Sequence, residues 1–281
     1  CKARRNWSMD NFSLDTIDKI KTQVGDRKVL LFVSGGIDSV TLAVYISFIF
    51  KDKKVKVSHA VGPAVPIEAT NRVKSLSKKY NWELKIINTN EISDPRYAAN
   101  PINRCFFCKE NLYKTIKTYT EGNIFSGANL DDLNDYRPGL DAAKEANVNH
   151  PFILAKIGKK IIRKLALDLG LGELSELPSS PCLASRVETG IPITPDLLNK
   201  IDNIERYIKT LFSNADIRCR WINQNIIIQF NYPNLKQINN SQKQLIQNKV
   251  IEIFNINHSK IKFSEYKKGS AFIAKNREKK I

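Results

Sequence analysis

Short apolar runs separated by polar turns mark the first two thirds of this chain. Val29–Val33 is uncharged and β-rich, the pattern of a strand buried on both faces. Ser34-Gly35-Gly36 turns the chain, and Asp38-Ser39 opens an apolar helix that runs to Phe50. Val55–Val61 predicts a second strand ending at the turn signal Gly62-Pro63, Ile67–Tyr80 a helix, and Glu83–Ile87 a third strand. The polar loop Asn88–Arg104 leads to Cys105-Phe106-Phe107-Cys108-Lys109 and a helix through Tyr119. Asn123–Ser126 predicts the fourth strand, followed by the polar turn Gly127-Ala128-Asn129-Leu130-Asp131-Asp132. Phe152-Ile153-Leu154 reads as a short strand or extended piece, and Lys159–Leu169 as a helix with a basic start, stopped by Gly170. The proline-bearing stretch Leu177–Thr194 reads as a long loop, mobile or ordered by a ligand. Ahead of all this, Leu14, Ile17, Ile20 and Val24 predict an amphipathic helix over Asn11–Val24.

Strand alternating with helix as far as about residue 175 predicts an α/β fold: a parallel sheet with helices on both faces. After Pro195 the order becomes helix (Asp196–Phe212), strands (Asp216–Trp221, Ile226–Phe230), helix (Ser241–Phe254) and strand (Ile261–Phe263). That order predicts a small C-terminal α+β domain. Residues 10–190 form the expected nucleotide-binding domain and residues 195–281 the second, with the boundary near 190–195.

A strand, a glycine turn and a helix start make an anion site. The glycines let backbone N–H groups approach a phosphate, and the helix end adds partial positive charge. Ser34 and Ser39 can donate to the same oxygens, and Asp38 is placed to hold a Mg²⁺ that bridges phosphates. No Lys-Ser/Thr follows the last glycine, so this is not a Walker A loop, and no third glycine completes a dinucleotide fingerprint. Ligands of doubly wound sheets sit beyond the carboxyl ends of the strands. Ala60 and Val61 are therefore placed for backbone contacts to adenine, and Gly127 and Asn129 fall in the neighbouring turn. His59 reads as a packed residue. The run Ser34–Ser39 resembles the SGGxDS signature of the PP-loop ATP pyrophosphatases, in which the loop grips the pyrophosphate of ATP and a substrate is adenylated.

Charge and cysteines extend the picture. The chain has 281 residues, a net charge of +17 and 42% hydrophobic residues, enough for a substantial core and a surface suited to phosphate-bearing partners. The lysines are spread along the chain, so charge alone names no partner. Val40–Phe50 is too short to cross a bilayer, no secretory signal is visible, and five cysteines make no disulfide framework. A cytoplasmic setting without membrane attachment is expected. Residues 1–8, which precede the single methionine Met9, are set aside with Cys1. Cys105 and Cys108 form a C-x-x-C pair, a spacing that serves zinc, redox and iron–sulfur sites alike. Cys182 is the natural third thiol, whereas Cys219 falls in a strand and is less available. Three thiolates with no clear fourth ligand fit a [4Fe–4S] cluster with one open iron able to carry sulfide. The bland alternative has the pair as packing residues beside Phe106 and Phe107.

Several motifs coincide at this point. Ser34–Ser39, the run Asn100–Lys109, Gly127–Asp132, Asp135-Tyr136-Arg137-Pro138-Gly139, Cys182-Leu183-Ala184-Ser185-Arg186, the pair Arg218 and Arg220, and Tyr266 with Gly269-Ser270 together resemble the LarE family of PP-loop sulfur transferases. The resemblance covers nearly the whole chain. It implies sulfur insertion into a pyridinium dicarboxylate mononucleotide, the precursor of the nickel-pincer nucleotide. ATP adenylates the carboxylate, pyrophosphate leaves, and sulfur replaces AMP. In one-cysteine members the residue matching Cys182 gives up its own sulfur; in three-cysteine members the residues matching Cys105, Cys108 and Cys182 hold a [4Fe–4S] cluster. Having all three, this chain is expected to follow the cluster route, with Cys182, Asp38 and Arg186 in the chemistry. Arg218 and Arg220 are expected on the substrate phosphate, with Glu205 beside them, although Glu205 also reads as a solvated helix residue. Further expected partners are sulfide or another sulfur donor and a second copy of the chain. The rival readings are a tRNA thiolation enzyme, which the positive charge suits, and a nucleotide-binding scaffold without turnover.

Overall fold

The computed structural model describes Thr22 and residues 29–50, 55–178, 181–212, 215–231, 236 and 238–266. Apart from Thr22, the helix expected over Asn11–Val24 lies outside the described residues, as do residues 1–8 and Gly269-Ser270. Two units divide the chain. The first comprises Cys1–Val61, Ile67–Thr89 and Cys105–Ser180; the second comprises Gly62–Pro66, Asn90–Arg104 and Pro181–Ile281.

In the first unit Val29–Phe32 (β1) is an inner strand of a parallel sheet. Its neighbours are Lys56–Val61 (β2) and Asn123–Ser126 (β4), and Glu83–Asn88 (β3) pairs outside β2, giving the order β3-β2-β1-β4. The strand alternation works on both faces. Leu31 packs into one cluster with Ile37, Val57, Phe125 and Ile162, while Leu30 and Phe32 pack into another with Leu112, Tyr113 and Ile116. Ile37–Ile49 (α1) is buried on nearly every side from Ile37 to Ile46, which explains why its sequence carries no polar stripe. Ile67–Tyr80 (α2) buries Thr70, Val73 and Leu76 and turns its lysines outward.

Several loop expectations resolve into short helices. Within the polar stretch after β3, Pro95–Ala98 (α3) is a single turn started by Pro95, with Asp94 accepting from the Arg96 N–H as its cap. Arg104–Lys117 (α4) follows, then β4. Pro138–Glu145 (α5) also begins on a proline. The segment read as strand or extended at Phe152–Leu154 is instead the helical turn Pro151–Leu154 (α6): Pro151 at its start presets the helical φ, and the extended pairing falls earlier, at Asn149 with Phe125. Lys159–Asp168 (α7) completes this unit and sends Ile162 and Ala166 into the cluster around α1.

The second unit has its own sheet. Ile217–Ile222 (β5) is antiparallel to Asn225–Phe230 (β6), and Ile261–Glu265 (β7) is parallel to β6. Pro195–Leu211 (α8) is capped by Thr194 and buries Leu198, Ile201, Ile204 and Ile208. Asn240–Phe254 (α9) starts in a reciprocal Asn239/Gln242 cap and ends at Asn255 in the left-handed region. Within the stretch expected to be a loop, mobile or ordered by a ligand, Leu183–Arg186 forms a tight turn with all four residues buried, because Leu183 and Ala184 supply apolar surface and Arg186 finds buried partners. No helix among the described residues is long and apolar enough to cross a membrane.

Candidate active site

The phosphate loop lies at the carboxyl end of β1. Gly35 sits at φ +85°, and a side chain there would place its Cβ 2.8 Å from the Ala69 carbonyl oxygen on α2. Only glycine satisfies both the backbone conformation and the space. Arg72, on the same helix, donates from Nη1 to the Gly35 carbonyl at 2.6 Å. The carbonyl is thereby occupied by the protein. The two serines brace the loop from within: the Ser34 N–H donates to Ser39 Oγ at 3.1 Å, Ser39 Oγ donates to the Gly36 carbonyl at 3.1 Å, and the hydroxyls lie 3.1 Å apart. Below the loop, buried His59 bridges Val33 O at 2.7 Å and Thr70 Oγ1 at 3.0 Å. A carbonyl can only accept, so the proton is on Nδ1 and the threonine hydroxyl donates to Nε2. Burial lowers the His59 pKa, which agrees with a neutral structural residue. The packing expectation for His59 holds.

The next turn presses close against this one. A Cβ on Gly127 would stand 2.6 Å from the backbone N and Cα of Ser39, so the end of β4 and the start of α1 touch backbone to backbone. Asn129 is fully buried, accepts from the Asp131 N–H at 3.0 Å, and has a buried Nδ2 with no hydrogen-bond partner among the described residues. Asp132 closes that cap on the Asn129 N–H at 3.1 Å and pairs with Arg137 at 2.9 Å. Asp131 caps a different helix, accepting the Lys159 N–H of α7 at 2.7 Å. Ser126 Oγ meets His150 Nδ1 at 2.8 Å. Ala60 stands near the end of β2, half-buried and paired with Ile87.

Asp38 is the chemical centre of this edge. Its Oδ1 is buried without a hydrogen-bond partner among the described residues, while Oδ2 faces the Lys159 ammonium at 3.7 Å. Burial raises the Asp38 pKa, partly offset by Lys159 and raised again by Asp132. An unsatisfied carboxylate oxygen beside a phosphate loop fits Mg²⁺, which takes one or two carboxylates together with phosphate oxygens. Lys159 supplies the cation that the loop itself lacks. It starts α7, and only its basic sequence context signalled it. Lys159→Ala is expected to weaken ATP binding about tenfold, the loss of one charge-assisted contact, as read by titration calorimetry.

The cysteines fall in both units. Cys105 and Cys108 occupy the first turn of α4 and are half-buried. Cys182, also half-buried, precedes the Leu183–Arg186 turn of the second unit. Cys219 is fully buried in β5, and desolvation pushes its thiol pKa well up, which leaves it inert. Among the described residues, no group of three or more His, Cys, Asp or Glu side chains is gathered to hold a metal ion.

The second unit holds a buried charge network. Arg186 Nε and Nη2 donate to the two carboxylate oxygens of Glu205, both at 2.9 Å, and Nη1 donates to Pro181 O at 2.7 Å and Ser185 Oγ at 3.0 Å. Glu205 Oε1 also accepts the Cys219 N–H at 2.9 Å. Glu205 is thus a core residue of α8, correcting its reading as a solvated one. Burial alone would lower the Arg186 pKa, but the facing carboxylate raises it above the ordinary value. Arg220 donates to Gln229 Oε1 at 2.5 Å and to Ser185 O at 3.1 Å, and its pKa is lowered to about 10 by burial and by Arg186. Arg218 pairs with Asp216 and lies 4.8 Å from the Tyr266 ring centre. Neither strand arginine is mere surface charge. Asn100 ties down the following segment: its Nδ2 donates to Glu188 O and Ile191 O, both at 2.9 Å.

No family model matches the chain. It is 33% identical over 188 residues to an uncharacterized protein of Synechocystis sp., covering 66% of this chain and 69% of that protein. It is 30% identical over 234 residues to an uncharacterized protein of Methanocaldococcus jannaschii, covering 82% and 88%. It is also similar to the pyridinium-3,5-bisthiocarboxylic acid mononucleotide synthase of Lactiplantibacillus plantarum, 26% identical over 66% of this chain and 69% of that protein. The glutamine-hydrolyzing GMP synthase of Lacticaseibacillus casei is 32% identical over 38% of this chain, but only 22% of that protein is covered. These likenesses support an ATP-dependent enzyme built on a phosphate loop. With its SGGIDS loop at the end of a parallel strand, the chain belongs to the same family as the Synechocystis and Methanocaldococcus proteins, a PP-loop family of the α/β class.

Proposed function

We propose that the protein is an ATP-dependent sulfur transferase that adenylates a carboxylate of a small nucleotide and replaces AMP with sulfur, leaving a thiocarboxylate. The observation that carries the reading is Asp38, a buried, half-satisfied carboxylate at the mouth of a phosphate loop, on a chain that also bears a thiol pair and a cysteine turn. Likeness to the bisthiocarboxylic acid mononucleotide synthase favours a pyridinium-3,5-biscarboxylic acid mononucleotide as acceptor.

A carboxylate resists nucleophiles until one oxygen becomes a leaving group, and adenylation does that. The loop N–H groups and Lys159 take the negative charge of the departing pyrophosphate. Asp38 would hold a Mg²⁺, which would supply positive charge to the phosphates. Ala60, Gly127 and Asn129 are assigned to the nucleoside side, and Arg218 and Arg220 to the substrate phosphate. Arg186 and Glu205 hold the Cys182 turn in shape. Cys182 is assigned to the sulfur-transfer step in this reading. A cluster on Cys105, Cys108 and Cys182 is what the family resemblance implies; those thiols would be its ligands, and no step is routed through it.

The test is release of AMP and pyrophosphate from Mg-ATP, dependent on the dicarboxylate mononucleotide, with mass spectrometry of the acceptor for each added sulfur. Asp38→Asn is expected to slow pyrophosphate release about 100-fold, from loss of transition-state charge stabilisation. ADP as product, or ATP cleavage indifferent to the carboxylate, would sink the proposal. The tRNA reading predicts a salt-sensitive gel shift instead, and no shift at low salt counts against it.

A further inference from the structure

We infer that His150 is a binding residue for the acceptor, its Nε2 meeting one oxygen of the carboxylate that ATP activates. The inference rests on the adenylation reading above and adds how the reacting end of the acceptor is held.

The backbone puts His150 at the ligand edge of the first sheet. The Asn149 N–H donates to the Ile124 carbonyl at 2.8 Å, and the Ser126 N–H donates to the Asn149 carbonyl at 3.0 Å. Residue 149 thus extends the sheet past β4 as a further parallel neighbour. Pro151 then starts α6 and turns the chain away, which leaves His150 level with Ser126, the last residue of β4. Gly127 follows Ser126 and touches the start of α1 backbone to backbone. The imidazole is held in place: Nδ1 lies 2.8 Å from the hydroxyl of buried Ser126. With that hydroxyl donating to Nδ1, Nε2 carries the proton. The ring is half-buried, and Nε2 has no hydrogen-bond partner among the described residues.

The two faces of the sheet divide the work. Ile124 and Val148, two positions before Ser126 and His150, pack with Phe32 of β1 and with Leu112 and Tyr113 of α4. α1 and α7, which carry Asp38 and Lys159, pack on the opposite face with Leu31. At a phosphorus atom the attacking and leaving oxygens stand roughly in line, on opposite sides. Asp38, Lys159 and the loop attend the departing pyrophosphate from the α1 face, so the incoming carboxylate is left the α4 face, where His150 stands. Two charged groups act on the ring there: Lys109 from α4, and Asp132 from the turn after β4, which also acts on Asp38. Burial and then Lys109 lower the His150 pKa, and Asp132 offsets part of that, so the ring is neutral at pH 7 without ligand. A carboxylate against Nε2 favours the imidazolium. Binding therefore takes up a proton, and affinity is greatest at low pH and falls as pH rises through the higher pKa of the complex.

The chain holds three histidines, so their imidazole signals can be followed singly by NMR in full-length protein, with His150→Gln and His258→Gln assigning them. The protein is loaded with Mg²⁺ and α,β-methylene-ATP, which does not turn over, and titrated with pyridine-3,5-dicarboxylate across pH. The His150 midpoint is expected to rise by about one pH unit, and dicarboxylate binding to weaken about tenfold across that rise. Glutamine at 150 keeps a neutral donor, so in His150→Gln the binding should lose its pH dependence while the ATP analogue binds as in wild type. Magnesium pyrophosphate, given without the analogue, should move the His150 midpoint less than the dicarboxylate does. A midpoint that ignores bound dicarboxylate, one that pyrophosphate moves as far, unchanged pH dependence in His150→Gln, or wild-type protein that binds no dicarboxylate overturns the inference. None of these readouts involves turnover. Pyrophosphate release from ATP with a silent His150 leaves the adenylation reading standing, and a responsive His150 without pyrophosphate release leaves the carboxylate site standing.

Discussion

Gly127→Ala is expected to abolish ATP binding and to lower stability by about 3 kcal/mol, the upper end for forcing one extra carbon into a packed site. The added Cβ would sit 2.6 Å from both the backbone N and the Cα of Ser39, which belong to a buried helix start and have no rotamer to change. Either β4 or the first turn of α1 must move. Movement of α1 breaks the hydrogen bonds that join Ser39 to Ser34 and Gly36, so the N–H groups of the loop no longer converge on one phosphate. Gly36→Ala separates the two effects. Its nearest neighbour would be Ser34 Oγ at 3.6 Å, and its backbone is not left-handed, so stability should change by less than about 1 kcal/mol. A methyl group at that position would still stand where the backbone meets phosphate, and binding should fall. Urea unfolding and ATP titration on both variants decide the matter. If Gly127→Ala binds ATP like wild type, this loop is not the nucleotide site.

The loop was legible in the sequence because everything it needs is local. A buried strand, two glycines and a helix start occupy residues 29–39, and hydrophobic run, turn chemistry and apolar helix all point the same way. The four strands of the first sheet were legible for a similar reason, each a short β-rich segment closed by turn residues. The contacts that complete the site come from far along the chain. Arg72 reaches Gly35 across 37 positions, and nothing near Arg72 signals a partner. Lys159 and Asp131 meet Asp38 and the start of α7 only because α7 packs beside α1.

The buried charges show a different failure. Glu205 shares a stripe with Leu198, Ile201 and Ile208 at helical spacing, all buried, and that stripe was the available signal. Charge type outweighed position in the reading of Glu205 as a solvated residue, the alternative to its expected place beside the substrate phosphate. Arg218 and Arg220 alternate with Ile217 and Cys219, which ordinarily marks an outer face, yet all four are buried. Period 2 distinguishes the two faces of a strand but not whether the second face is covered.

Glu205→Ala should therefore destabilise the protein by about 3–5 kcal/mol, the loss expected when one member of a buried ion pair is removed and the other stays behind. Arg186 would keep the Pro181 and Cys182 carbonyls and the Ser185 hydroxyl as partners of Nη1, and the Cys219 N–H would lose its acceptor in the same step. Glu205→Gln keeps one acceptor oxygen and should lose less. The double variant Arg186→Met, Glu205→Leu removes both charges at similar volume and should recover much of the stability, because desolvating the pair already offset much of its attraction. The turn separates fold from function. Arg186 is what ties Pro181 and Ser185 on either side of Cys182, so the recovered double variant should expose Cys182 to faster alkylation than wild type, with the proposed sulfur transfer still impaired. Urea unfolding supplies the three energies, and iodoacetamide rates, in a background where Cys1, Cys105, Cys108 and Cys219 are serine, supply the other readout. A loss below about 1 kcal/mol for Glu205→Ala, or an unchanged alkylation rate in the double variant, would mean that the pair neither holds the unit together nor shapes the cysteine turn.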